Sequence, residues 1–258
     1  MKGQPLSDRR IVVTRPKGQA ETLLALIRQA GGEPLEIPLL QIDDLHDLAA
    51  FYSVVERLAS FDMAIFVSRN AVRKTFALMG ARSWPAQLRA ATVGIGSREE
   101  LESLGVTGVT APGGQADSEA LLAMPELSDV GGKRIAIFRG EGGRTLLSDT
   151  LALRGALVEQ AAIYRRSKPL QSAALLAAAW ERGNVDAVMV SSGEGLANLL
   201  EMLGDASRRL TGTALFVPHP RVAVEAVRKG LKRPIVAGPG DAQMAAALVA
   251  YFGGASYN

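Results

Sequence analysis

Seven short apolar runs are spaced along the chain, and segments of helical period lie between them. The runs are nearly continuous in apolar residues, which is typical of strands buried on both faces of a parallel sheet. Because such strands alternate with helices from end to end, the pattern predicts an α/β fold with helices covering both faces of parallel sheets. The predicted strands are 11–15, 62–68, 91–95, 134–140, 156–164, 185–192 and 213–218.

The segment 19–32 shows the helical pattern most clearly. Its apolar residues recur three and four positions apart, so they form one face that we expect to be buried. Two glycines follow, as left-handed caps would at the end of a helix. The apolar residues are Leu23, Leu26, Ile27 and Ala30, and the glycines are Gly31 and Gly32.

One motif occurs twice. In both DMAIFVS and DAVMVSS an aspartate opens the apolar run and a serine closes it. Asp62 and Asp186 are 124 residues apart, and so are Ser68 and Ser192. Residues 14–31, from the end of the first strand through the first helix, match 138–155 at the same separation. The repeat indicates two similar lobes, while chance similarity between two α/β halves remains an alternative.

Two divisions of the chain into lobes fit this pattern. The first is a single cut near 125–133. The second groups the first βα unit with the C-terminal third, so that the chain crosses between lobes twice. Two extended segments, 37–44 and 163–169, would then make the connections.

The amino-acid composition limits the kinds of catalytic and metal site that the chain can form. The 258 residues suit one large domain or two small ones. The sequence has no cysteine, which excludes disulfides, thiol nucleophiles and thiolate metal sites, and two histidines exclude a multi-histidine metal site. The acidic segment 43–47 is interpreted as a solvated helix start, with a metal cluster as the alternative. A net charge of +3 favours small anionic partners over nucleic acid.

The ends and apolar runs of the chain bear on its location. The first ten residues have no apolar segment typical of a signal peptide. No apolar run reaches the roughly 20 residues that a membrane-spanning helix needs. We therefore expect a cytoplasmic protein without a membrane contact.

Small polar and basic residues follow the predicted strands. In open α/β sheets, ligands bind beyond the carboxyl ends of the strands, where helix N-termini offer free N–H groups to anions. The simplest interpretation of each serine is a helix N-cap. The recurrence favours a second interpretation, in which several helix starts hold one ligand with many anionic groups. The residues are Arg15, Ser68, Arg69, Asn70, Gly94, Ser97, Arg139, Gly140, Ser191, Ser192 and Gly193.

Three further positions are candidates for chemistry. Tyr164 ends a long apolar run and is either an amphipathic anchor at a domain surface or a general acid. The loop 139–144 is rich in glycine but fits no established phosphate-loop pattern. His219 lies between two prolines, which favours a turn residue over a catalytic base.

These pieces, taken together and in order, resemble uroporphyrinogen-III synthase, an enzyme family of tetrapyrrole biosynthesis. Each motif is weakly specific alone, and their order and spacing over nearly the whole chain carry the resemblance. The matching segments are VTRP with its helix and glycines (12–32), IPLLQI (37–42), DMAIFVSRNAV (62–72), VGIGS through LESLG (93–105), APGGQADSEAL (111–121), 135–166, DAVMVSSGEGLANLL (186–200) and VPHPRVAVEAVRKG (217–230).

The resemblance implies an architecture. It is that of two flavodoxin-like α/β lobes with parallel sheets, related as a pseudo-repeat and joined by a two-stranded linker. The first domain would be discontinuous, 1–36 plus 170–258, and the second would be 43–162. The linkers would be 37–42 and 163–169. Two linkers mean that the chain crosses between the lobes twice, so the resemblance favours the second of the two divisions.

The resemblance also implies an activity. The family converts hydroxymethylbilane, a linear tetrapyrrole with many carboxylates, to uroporphyrinogen III, with loss of water and inversion of ring D through a spiro intermediate. The substrate would be clamped in an interdomain cleft, and orientation would supply much of the catalysis. No metal and no organic cofactor is implied. The expected protein is a monomer. Its expected partners are its small-molecule substrate and, in transient contact, the preceding pathway enzyme.

Several residues match family positions. Tyr164 corresponds to the tyrosine suspected of assisting departure of the hydroxyl group. Ser97 stands where relatives often have threonine, and Ser68 and Ser192 match hydroxyl residues at strand ends. Near 218–222 many relatives read glycine-proline-threonine-threonine, so Arg221 would replace a hydroxyl contact by a charged one.

Two other functions fit the same composition. A two-lobed binding or sensor protein for a small anionic ligand would bind without turnover. A two-lobed nucleotide-sugar transferase would need an acidic nucleotide or metal site, and the sequence has no convincing one.

Overall fold

The structure is a computed structural model that describes residues 4–113, 117–183 and 185–254. The chain forms two compact units. The first combines the chain up to Gln41 with the chain from Ser167 onward, and the second is Ile42–Arg166. The finer boundaries and linkers anticipated from the sequence stay predictions.

Strands and helices alternate along the chain. Three short 3₁₀ segments, Leu58–Ser60, Pro125–Leu127 and Gly204–Gly212, lie between them. The regular elements of the described residues are β1 (Arg10–Val13), α1 (Glu21–Gln29), β2 (Glu33–Glu36), β3 (Gln41–Asp44), α2 (Ala49–Glu56), β4 (Met63–Phe66), α3 (Arg69–Met79), β5 (Arg89–Thr92), α4 (Ile95–Ser103), α5 (Ser118–Leu122), β6 (Arg134–Gly140), α6 (Leu146–Leu153), β7 (Leu157–Ser167), α7 (Ser172–Glu181), β8 (Ala187–Met189), α8 (Gly193–Leu203), β9 (Ala214–Val217), α9 (Pro220–Arg228), β10 (Ile235–Val236) and α10 (Asp241–Phe252).

The sheet of the first unit has the strand order β10-β9-β8-β1-β2. All four of its neighbouring pairs are parallel. Numbered by position within the unit, this order is that of flavodoxin-like folds, in which the first strand lies between the second and the third. The predicted fold class is confirmed.

The sheet of the second unit has the order β3-β7-β6-β4-β5. The neighbours β7-β6, β6-β4 and β4-β5 are parallel, and they repeat the arrangement β2-β1-β8-β9 of the first unit. An isolated parallel bridge from Ala91 to Thr110 stands where the first unit has β10. The repeat therefore includes the strand order. The two units differ in where the chain begins, because the first starts at the interior strand β1 and the second at the edge strand β3.

The repeated aspartates make the same contacts in both units. An Oδ2 atom of Asp62 accepts a hydrogen bond from the Arg134 amide at 2.8 Å. In the first unit Asp186 accepts one from the Arg10 amide at 2.9 Å. In both cases the aspartate aligns the start of one strand with its neighbour, which explains why both runs open with this residue.

Each sheet separates two apolar layers. In the second unit, Ala64 and Phe66 of β4 pack into one cluster, while Met63 and Ile65 pack into the other. The first unit is built in the same way. Burial on both faces explains why the strands are continuously apolar in the sequence. Within the described ranges, no helix is long and apolar enough to cross a membrane.

Several details differ from the sequence predictions. The expected strand 91–95 ends at Thr92, because Gly94 caps α4 and Ile95 begins it. Asp43 and Asp44 lie in β3 rather than at a helix start. The short strands β2, β3 and β10 lack a continuous apolar run and were not predicted as strands.

The end of α1 also differs in part. Gly31 has a φ of 90°, the left-handed conformation predicted for it. A Cβ on Gly32 would lie 2.9 Å from side-chain carbons of Ile11 and Ile27, so that glycine is required by close packing. On the helix, Leu24 joins the buried face, whereas Leu26 and Ala30 are only partly buried.

Candidate active site

The carboxyl edge of the second sheet brings together four strand ends. The middle strands β6 and β4 correspond to the first and third strands of a flavodoxin-like unit, between which the chain switches direction across the sheet. Open α/β sheets bind ligands at this position. Gly140 ends β6 and Ser68 follows β4, so both lie at this edge.

Ser68 caps helix α3. Its backbone is extended, with φ −168° and ψ 165°, and its Oγ accepts a hydrogen bond from the Ala71 amide at 3.1 Å. The interpretation of this serine as an N-cap is confirmed. Ala71 belongs to the first turn, where backbone N–H groups have no partner within the helix.

The Tyr164 side chain lies beside this cap. Only 2% of the residue is exposed, and its ring belongs to the apolar cluster on the α3 side of the sheet. Its Oη is 2.9 Å from Ser68 Oγ. The phenol therefore lies buried beside the start of α3, and the general-acid interpretation of Tyr164 stays a prediction.

A register shift places the phenol. Along the β6–β7 pair, Arg139 lies opposite Ala162, but Gly140 lies opposite Tyr164, so that one residue of β7 is skipped. Such an irregularity changes the direction of the side chains that follow it. A Cβ on Gly140 would lie 2.6 Å from Cε2 of Tyr164, so only glycine leaves room for the ring.

Arg139 holds the loop that follows β6. Its guanidinium donates to Oε1 of Gln160 at 2.6 Å, to the Gly140 carbonyl at 3.2 Å and to the Gly142 carbonyl. Gly142 and Gly143 have φ values of 68° and 85°, which permit the tight turn. In this structure the arginine therefore serves the loop, and a carboxylate ligand would compete with these acceptors.

Helix α4 starts beside α3. Gly94 caps it with an extended φ of −169°, and Ser97 is buried in its first turn. The exposed Arg69 donates from Nε to the Gly96 carbonyl at 3.0 Å, and its neighbour Asn70 is half-buried. Through this arginine, the structure brings the candidate residues that follow β4 into contact with those that follow β5.

In the first unit, Ser192 caps helix α8. Its φ and ψ are −163° and 163°, and its Oγ accepts from the Gly195 amide at 3.0 Å. Ser191 and Gly193 flank it and are half-buried. A Cβ on Gly193 would lie 2.8 Å from Oε2 of Glu225, so a carboxylate of the protein is close to this helix start.

Arg15 and Arg221 have different surroundings. Arg15 forms an ion pair with Asp241 at 2.5 Å, and its side chain is 15% exposed. Arg221 lies exposed in the first turn of α9, after His219 at the N-cap position. His219 makes no side-chain cap hydrogen bond there.

Two residues at the carboxyl ends of the strands of the first sheet were not among the candidates from the sequence. Thr14 is buried, and its Oγ1 donates to the Met189 carbonyl at 2.7 Å, which ties the end of β1 to β8. A lone threonine directly after an apolar strand was the available signal. Asp241 was not recognisable as the partner of Arg15, because the two are far apart in sequence.

The described residues contain no group of three or more His, Asp or Glu side chains that could hold a metal ion. At the edge of the second sheet the structure places a buried phenol, a hydroxyl that caps a helix, helix N-termini and guanidinium groups. Such a set can orient an anionic substrate and donate a proton.

Known proteins are similar to this chain in sequence. The family model described as "Uroporphyrinogen-III synthase HemD" matches residues 21–246. A uroporphyrinogen-III synthase of Salmonella typhimurium is 32% identical over 191 residues, which are 73% of this chain and 78% of that protein. One of Synechococcus elongatus is 27% identical over 241 residues, covering 87% and 88%.

Solved structures agree on the fold. A mutant uroporphyrinogen III synthase of Thermus thermophilus superposes with a TM-score of 0.66 at 20% identity, covering 94% of this chain and 97% of that one. The Helicobacter pylori protein gives a TM-score of 0.56 at 15% identity, covering 93% and 98%. Together with the family match over most of the sequence, these similarities show that the chain belongs to the uroporphyrinogen-III synthase family.

Proposed function

We propose that this enzyme cyclises hydroxymethylbilane to uroporphyrinogen III, with loss of water and inversion of ring D. The family match over residues 21–246 is the observation that carries the proposal. The relative from Salmonella typhimurium, which bears the same activity in its name, adds support at 32% identity. The buried phenol at the edge of the second sheet is the group whose chemistry fits best.

The substrate carries a carboxylate on every side chain of its pyrroles. Helix N-termini attract such groups because their free N–H groups and dipoles favour negative charge. The starts of α3 and α4 would bind carboxylates through Ser97, Asn70 and the exposed Arg69. Further predicted contacts are Arg15, Gly94, Arg139, Gly140, Ser191, Ser192, Gly193 and Arg221. Ser68, also a candidate from the sequence, lies against the phenol of Tyr164 instead.

Tyr164 is the proposed proton donor. The hydroxyl group of the substrate leaves as water when the phenol protonates its oxygen and the C–O bonding pair departs with it. The pyrrole nitrogen supplies electrons to the carbon that is left. That carbon first bonds to the substituted α-carbon of ring D, which gives the spiro intermediate. The bond between this α-carbon and the methylene of ring C then breaks, with electrons from the ring C nitrogen stabilising the methylene. The methylene finally bonds to the free α-carbon of ring D, which inverts the ring, closes the macrocycle and releases the one proton that restores the phenol. General acids of this kind contribute about 10²- to 10⁴-fold to rate.

An isomer assay tests the function. Hydroxymethylbilane is generated enzymatically, the protein is added without cofactor, and the oxidised products are separated into type I and type III isomers. An excess of type III over the protein-free control is expected. Type I alone, from a folded sample, would overturn the proposal and favour the second candidate, a binding protein for an anionic ligand that performs no catalysis.

The Tyr164→Phe variant tests the proton donor. We expect it to fold, because the ring keeps its packing, and to reduce kcat by about 10²-fold with a nearly unchanged KM. Full activity of this variant would remove Tyr164 from the catalytic group. The isomer produced by the remaining activity should still be type III, since orientation is unaffected.

The surroundings of the enzyme are also proposals. We propose that it acts in the cytoplasm as a monomer, with the bilane as its partner and without nucleic acid or membrane. Size-exclusion chromatography with light scattering measures the oligomeric state directly, and a dimer would contradict this part.

A further inference from the structure

The hydroxyl of Ser68 has two neighbours and one proton. It accepts from the Ala71 amide at 3.1 Å, and it lies 2.9 Å from Tyr164 Oη. A serine hydroxyl offers one O–H donor and two acceptor lone pairs. One lone pair is taken by the helix amide, so the remaining question is whether the serine or the tyrosine donates in the bond between them.

The helix favours donation by the serine. An oxygen that accepts a hydrogen bond becomes a stronger donor through its own O–H, because successive bonds polarise one another. The accepted amide also belongs to the positive end of α3. Both effects make Ser68 a better donor than an uncapped serine.

We propose that Ser68 is a positioning residue that donates its proton to Tyr164 and thereby directs the phenol's own proton toward the substrate. The hydrogen bonds then run in one direction, from the Ala71 amide to Ser68 Oγ, from Ser68 to Tyr164 Oη, and from Tyr164 to the departing hydroxyl. The phenol is buried, and among the described residues Ser68 is the one hydrogen-bond partner of its Oη. If Ser68 donates in this bond, the phenol proton has no acceptor among the described residues and is left for a ligand.

This role differs from contact with a substrate carboxylate. If the tyrosine donated to the serine instead, its proton would be held by the protein and the serine would donate to the ligand. The direction of one hydrogen bond thus decides which hydroxyl is the acid. The inference rests on the proposed function for its catalytic consequence, but the hydrogen bond itself can be measured without activity.

The internal repeat supplies a matched control. Ser192 caps α8 with the same backbone and the same amide bond as Ser68, at 3.0 Å. The position 124 residues before Tyr164 is Leu40, so the first unit has no phenol at the equivalent place. Ser192→Ala therefore removes an equivalent cap and leaves Tyr164 untouched.

The first measurement is NMR of the free protein labelled with ¹³C at the Cζ of tyrosine, a nucleus that senses hydrogen bonding at the phenol. Tyr164→Phe assigns the signal. If Ser68 donates, Ser68→Ala removes an accepted hydrogen bond and should move the Tyr164 signal downfield. An upfield shift would show that the tyrosine is the donor and would overturn the inference. Ser192→Ala should leave the signal in place, and Ser68→Thr should restore it. An unmoved signal in Ser68→Ala would overturn the inference, whatever the activity of the enzyme.

The second measurement is kinetic. Ser68→Ala should lower kcat about tenfold, the equivalent of one hydrogen bond, with little change in KM, and Ser68→Thr should recover most of the loss. In the Tyr164→Phe background, Ser68→Ala should cause no further decrease. A raised KM at constant kcat would show that Ser68 binds substrate instead, and an equal loss in both backgrounds would show that it acts independently of Tyr164.

Discussion

Helices α3 and α8 begin in the same way in the two units. Ser68 and Ser192 have extended backbones within a few degrees of each other and accept an amide hydrogen bond at 3.1 and 3.0 Å. The helices also end alike, at Gly80 with φ 60° and Gly204 with φ 51°. The backbone of the repeat is therefore preserved over the whole strand–helix unit.

The surroundings of the two caps differ. Ser68 faces the phenol of Tyr164 and is followed by Arg69, whereas Ser192 is followed by Gly193, close to the carboxylate of Glu225. A carboxylate of the protein thus lies near the start of α8, whereas a phenol lies near the start of α3. The comparison shows that the same strand–helix backbone carries different side chains at its start in the two units.

Among the variants that test the difference between the two helix starts, Gly140→Ala should have the largest effect on stability and activity. Its Cβ would lie 2.6 Å from the Tyr164 ring, so the ring must move away from Ser68. We expect a loss of about 1–3 kcal/mol in unfolding free energy from overpacking. We also expect a fall in kcat of at least tenfold, measured with the isomer assay.

The control for this variant is Gly131→Ala. A Cβ there would meet its nearest atom, the Arg154 carbonyl oxygen, at 3.9 Å, which is ordinary contact. It should retain both stability and activity. If Gly140→Ala behaves like this control, the glycine is not what admits the phenol.

The two repeated aspartates should differ by a smaller amount. Both align neighbouring strands, but Asp186 also forms an ion pair with Arg9 at 2.7 Å and its side chain is only 16% exposed, whereas Asp62 is exposed. Asp186→Asn should therefore destabilise by roughly 0.5–1 kcal/mol more than Asp62→Asn in urea unfolding. Equal effects would mean that the strand-aligning bond alone explains both residues.

The smallest expected effect is a pH dependence found in one unit. The Arg57 guanidinium, which donates to Glu159 at 2.7 Å, lowers the pKa of that carboxyl group. A lowered pKa in the folded state stabilises the protein above the unfolded-state pKa, and the contribution is lost as the pH falls through the folded value. Position 35, the equivalent of Glu159, is leucine in the first unit.

Glu159→Gln should therefore lower the urea midpoint slightly at pH 7 and have no effect once the pH lies below the folded pKa. The pair is partly exposed, so added salt should reduce the difference. A difference that stays constant between neutral and acidic pH would show that packing of the side chain, and not its charge, is responsible.

The sequence was informative where local chemistry decides the structure. Strand β6 was predicted with its observed limits, 134–140, because a short apolar run, 135–138, stands between glycine-rich polar segments. Strands β2 and β10 escaped prediction because they are short and their pairing depends on neighbours distant in sequence. Asp43 and Asp44 were assigned to a helix start since local charge pattern carries no information about the β7 edge that β3 joins.

By itself the sequence determined the alternation of strands and helices, the serine caps and the repeat of 124 residues, since periodicity and capping are properties of a few adjacent residues. Only the tertiary structure decided that the two caps differ. Tyr164 reaches Ser68 across 96 positions of the chain, and it does so because the β6–β7 register skips a residue at Gly140. Such a contact depends on strand order and register, which are set by packing of the whole unit and not by the residues next to either side chain.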